Sequence, residues 1–82
     1  MEKYRQARRQ LMDLADRYKK RGISCKAIYD EIGNKLSGVR AVAAYDPDLS
    51  MDEFDVICEE IHSAICLLMK DYRKEIGLED EQ

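Results

Sequence analysis

Cys58, His62 and Cys66 recur at intervals of four residues, and all three types can bind a metal. On a helix each interval is close to one turn, so neighbouring pairs could share an ion. All three could not. Cys58 and Cys66 would lie roughly 12 Å apart along the axis, against metal–sulfur bonds of about 2.3 Å. One pair, completed from a second subunit, is the most the motif supports. The plainer account is a rim histidine between two apolar cysteines. The same separation forbids a disulfide between Cys58 and Cys66 within the helix.

Glu59 and His62 form a Glu-x-x-His step, which builds di-iron sites when repeated on several helices of a bundle. A homodimer would duplicate it, and Glu31 could bridge. A single match in so acidic a segment is more simply a solvated Glu59 facing basic residues elsewhere. No metal and no cofactor is expected.

Residues 25–42 carry a helix-turn-helix spacing: Ile28 and Ile32, Gly33 in the turn, then Val39 and Val42. Lys35, Ser37 and Arg40 would lie on the reading helix, with Lys19, Lys20 and Arg21 near phosphates. Tyr29 stands where close helix contact favours a small residue, and Gly38 falls inside the reading helix. The net charge of −3 opposes phosphate binding as well. DNA binding is therefore the alternative.

Arg5, Arg8 and Arg9 lie near a helix start, where the dipole is already positive. They oppose their own helix and invite an anionic partner, unless Glu75, Glu79, Asp80 and Glu81 neutralise them.

Gly-rich phosphate loops, Gly-x-Ser-x-Gly and His-Glu-x-x-His are absent from the sequence. One histidine leaves little for acid–base chemistry, and 82 residues leave little room for a supported pocket. The chain is not expected to be an enzyme.

Helices must position all of these residues. Tyr4, Ala7, Leu11, Leu14 and Tyr18 step by three and four, an a/d seam over roughly 2–21. Gly22 supplies a stop. A second helix starts at the cap Ser24, with Ile23 and Ile28 as a staple. Ile28, Ile32 and Leu36 continue its buried face until Gly33-Asn34 weakens or ends it. Leu36, Val39 and Val42 predict a short further helix over 39–45, and Asp46-Pro47-Asp48 breaks the chain. Ser50 and Glu53 form a capping box, Leu49 and Phe54 a second staple, and Gly77 ends the last helix. Its buried stripe includes Phe54, Ile57, Ile61, Ala64, Ile65 and Leu68. Val56 and Leu67 fall on the far side, and residues 65–69 are apolar around most of the circumference.

The charges divide by region. Residues 1–22 hold eight bases (Lys3, Arg5, Arg8, Arg9, Arg17, Lys19, Lys20, Arg21) and three acids, whereas residues 51–82 hold three bases and ten acids. An antiparallel hairpin of the long first and last helices would put Arg17, Lys19, Lys20 and Arg21 beside Asp52, Glu53, Asp55, Glu59 and Glu60. The expected fold is thus all-α: a small three- to four-helix domain over 1–77, built on that hairpin, with 78–82 as a flexible acidic tail.

A domain this small needs good packing or a partner subunit. A homo-oligomer is expected, with Val56, Leu67 and Met69 as a partner or self-association face and Arg5, Arg8 and Arg9 as anionic-ligand candidates. Three cysteines in no disulfide framework, no signal-peptide core and no long apolar run point to the cytosol and away from a membrane. The function expected is a non-catalytic helical interaction module that binds a protein or an anionic ligand. It would be a small inhibitor, adaptor or sequestering protein, a character that also suits accessory proteins of phages and mobile elements.

Overall fold

The computed structural model describes residues 1–77, which form three helices: α1 (Glu2–Lys20), α2 (Cys25–Ala44) and α3 (Met51–Glu75). The acidic segment 78–82 lies outside the described residues. No strand is present among those described.

Each boundary follows from local chemistry. Gly22 adopts φ 85°, and its amide and that of Ile23 donate back to the Lys19 and Tyr18 carbonyls at 3.0 and 3.1 Å. This doubled closure needs a left-handed residue just past the helix, which glycine adopts without steric cost. Ser24 caps α2 by accepting from the Ala27 amide at 3.2 Å. At α3 the capping box is complete: Ser50 Oγ accepts from the Glu53 amide, and Glu53 accepts from the Ser50 amide. Between α2 and α3, Asp46 Oδ1 accepts from the Asp48 amide at 2.9 Å and folds the turn.

The largest departure from expectation is α2. It runs unbroken through Gly33-Asn34 and absorbs residues 39–44. Gly33 is buried on the side facing α3, and tertiary packing holds the helix there despite the weak propensity of glycine.

That single length overturns the expected hairpin. At about 1.5 Å per residue α2 spans roughly 30 Å, about the length of α1, so the chain runs up, down and up. α1 and α3 are then parallel, with α2 antiparallel to both. Two pairs record the direction: Arg5 meets Glu60, and fourteen residues on Lys19 meets Asp71. The opposite charges do face each other, in the reverse order to that expected. Lys20 pairs within its own helix, with Asp16.

The core belongs mainly to α2 and α3. Ile32 and Leu36 are fully buried, and Ile57, Ile61, Ala64 and Leu68 nearly so. Tyr29 and Tyr72 stack across the same interface, with centroids 6.1 Å apart. From α1 only Tyr4 and Ala15 are buried, and Leu11, Leu14 and Tyr18 are half-covered. The domain is a flattened layer of 42 × 29 × 15 Å with α2 in the middle.

Candidate functional site

An open groove runs between α1 and α2. Ala7, Leu11 and Leu14 line it from α1, Val39 and Val42 from α2. Two hollows of about 610 and 540 Å³ share Ala7, Lys35 and Val39, so the groove is continuous. Along the α1 rim stand Lys3, Gln10 and Arg17, seven residues apart and therefore in line on the helix. Lys35 stands on the α2 side. The lining contains three cations and no carboxylate.

The groove exists because the α1 seam has more apolar surface than α2 covers. Val42, which continues the helical spacing of Leu36 and Val39, is 64% exposed. At the closed end, Tyr4 donates its hydroxyl to Asp46, and Lys3 approaches Asp46 at 3.6 Å and the Tyr4 ring centre at 5.2 Å. The hydrogen bond to Asp46 chiefly pushes the Tyr4 phenol up to about 12, and the same bond holds the Asp46 carboxyl below its ordinary value. At the other end Tyr18 donates to Glu31 at 3.0 Å. Arg17 and Lys35 make no ion pair among the described residues.

Of the three anionic-ligand candidates, Arg5 is engaged by a carboxylate. Arg5 forks onto Glu60, with Nη2 at 2.8 Å and Nε at 3.1 Å. That hydrogen bond holds the Glu60 carboxyl below its usual range, with Arg8 adding to the effect. Arg8 is half-buried and its Nε lacks a hydrogen-bond partner. Arg9 remains exposed, 3.6 Å from Glu2. Glu75, considered as their neutralising partner, instead accepts from the Cys25 amide with both oxygens at 3.0 Å, a second cap on α2.

The proposed self-association residues do not form one patch. Val56 and Leu67 are eleven residues apart, which places them on one stripe within about 20°. Both are exposed, at 36% and 57%. Met69 is two residues from Leu67, about 160° around the helix, and is half-buried.

The DNA-reading set is dispersed as well. A continuous α2 leaves no turn at Gly33, so the two-helix motif is not formed. Lys35 lines the α1 groove, whereas Ser37 and Arg40 line a hollow of about 250 Å³ beside α3, with Cys58 and His62. The three cannot enter one DNA groove as a reading face.

His62 and Cys66 are in contact, Nε2 to Sγ 3.5 Å, on the exposed side of α3. Among the described residues no three of His, Cys, Asp and Glu are grouped to hold a metal ion. Glu31 is engaged with Tyr18 on the α1 side of α2 and does not join Glu59 and His62. All three cysteines are unpaired. Burial, then the nearby Glu75 carboxylate, pushes the Cys25 thiol above its ordinary value.

No family model, curated protein or solved structure matches this chain.

Sequence reasoning named Lys35 for another role and missed the groove. Its one signal was Gly38, an exposed glycine in the interior of α2 that lines the groove with open space over its Cα. An apolar seam reads the same in sequence whether it is covered or open.

Proposed function

We propose that this chain is a non-catalytic helical interaction module that works by presenting a preformed surface to another macromolecule. The half-open apolar seam between α1 and α2 carries this reading. Leu11, Leu14, Val39 and Val42 form a contiguous apolar strip on the outside of a domain with few buried residues, and such strips mark sites of association. Chemistry at His62 has little support, because it contacts an exposed thiol and, among the described residues, no third group hydrogen-bonds the ring.

The module also self-associates in this reading, through the α3 edge that carries Val56 and Leu67. Each stands four residues before a carboxylate that α1 contacts, Glu60 and Asp71, so both lie beside that contact on the helix. The cytosol is the compartment proposed, in keeping with three unpaired thiols; no helix among the described residues is long and apolar enough to cross a membrane.

Light scattering after size-exclusion chromatography, at several concentrations, tests the self-association. A dimer that Leu67→Glu converts to monomer is the expected result, with helical content unchanged. A monomer at every concentration contradicts this part of the proposal. The groove is tested separately through Val42→Glu, which replaces an exposed side chain and leaves the core intact.

A further inference from the structure

Resting on the interaction-module reading, we infer that the α1–α2 groove takes an acidic amphipathic helix from a partner protein. Three independent features of the groove specify that occupant.

The first is charge. Arg17 and Lys35 border the apolar strip without an ion pair among the described residues, Lys3 is paired with Asp46 at the closed end, and no carboxylate is among the lining residues. A second copy of this chain docking with the same face would bring the same cations against them, so the rim disfavours a symmetric dimer here. A partner with carboxylates flanking an apolar stripe satisfies both parts of the lining.

The second is shape. Lys3 to Arg17 spans fourteen residues of α1, roughly 21 Å at 1.5 Å per residue, or about four helical turns. The trough is long and open on one side. That form suits a helix laid along it, with anchors at i, i+3, i+4 and i+7. A fatty acyl chain would need to be enclosed.

The third is Gly38. Glycine inside a helix is unfavourable by roughly 1 kcal/mol relative to alanine. Nothing in the described chain uses its small size: a Cβ placed there meets no atom within 4 Å. Gly38 borders the groove next to Val42 and Lys35, where a missing side chain lets a partner backbone come close.

The test uses the intact chain, isotope-labelled, and a fluorescein-labelled 16-residue peptide with leucines on one helical face and glutamates beside them. Anisotropy should show saturable binding that weakens with salt. It should be roughly tenfold weaker for Lys35→Glu and for a version of the peptide with lysines in place of glutamates. Amide shifts should map to residues on both sides of the groove and leave the outer face of α3 unmoved. Equal binding of the lysine peptide, or shifts confined to α3, would overturn the proposal. So would preferential binding to vesicles of anionic phospholipid over the peptide. If the peptide does not bind and Val42→Glu disperses a self-associated species, the groove belongs to a second copy, and only the occupant is wrong. If neither peptide nor second copy engages the groove and the chain is a monomer at every concentration, the interaction-module reading falls with it.

Discussion

Arg5 of α1 grips Glu60 of α3 through both Nε and Nη2, at 3.1 and 2.8 Å. The pair settles two matters. Together with Lys19–Asp71 it fixes α1 and α3 as parallel neighbours, and it engages Arg5, one of the anionic-ligand candidates, with a carboxylate.

The contacts at the start of α1 make stability depend on pH in a defined way. Asp46 and Glu60 hold folded values below their ordinary 3.8 and 4.5. Their stabilisation is present above those values and is lost as pH falls through the depressed folded ones. Tyr4 is shifted the other way, from 10.0 to about 12, so its contribution is full below pH 10 and lost between 10 and about 12. Thermal melts followed by circular dichroism should show a fall on both limbs. Tyr4→Phe should soften the loss above pH 10. An unchanged alkaline limb in that variant would show that the Tyr4–Asp46 bond does not contribute.

Core and cap substitutions should separate in magnitude. Leu36 is fully buried between the helices, and Leu36→Ala should cost about 2–5 kcal/mol, much of the stability of a domain this small. Ser50→Ala removes one side of the capping box and should cost about 1 kcal/mol. Denaturant unfolding measures both. A larger loss for Ser50→Ala than for Leu36→Ala would contradict the assignment of the core.

The three thiols should react in order of exposure and ionisation. Cys66 is exposed, and Cys25 is half-buried with its thiol pushed above its ordinary value by burial and by Glu75. Alkylation at pH 8, followed by mass spectrometry, should modify Cys66 first and Cys25 more slowly. Glu75→Gln should speed the reaction at Cys25. Faster labelling of Cys25 than of Cys66 in the unaltered chain would contradict the packing of Glu75 over the start of α2.

Element types and ends were readable from residues because their causes are local. Gly22 closes α1, Ser24 starts α2, and Ser50 with Glu53 starts α3, each through short-range hydrogen bonds. Topology was not local. Whether Gly33-Asn34 ends a helix depends on α3 packing across it, and the direction of α3 relative to α1 depends on that answer. The site was hidden for a similar reason. Leu11, Leu14, Val39 and Val42 have the spacing of buried residues, and only the flat arrangement of the three helices leaves them half-open. The grouping of Val56 and Leu67 with Met69 failed on geometry that a helical wheel already contains.

Gly38→Ala gives the most direct test that the groove exists to receive a partner. Removing a glycine from an exposed helix interior should raise stability by roughly 0.5–1 kcal/mol, because nothing inside the chain needs the space. The same added methyl group should hold a docked helix away and weaken binding of the acidic amphipathic peptide. The measurement is a melting curve and an anisotropy titration on the same preparation. A higher melting temperature with weaker binding is the predicted result. A higher melting temperature with binding unchanged or tighter would contradict a partner helix packed against Gly38.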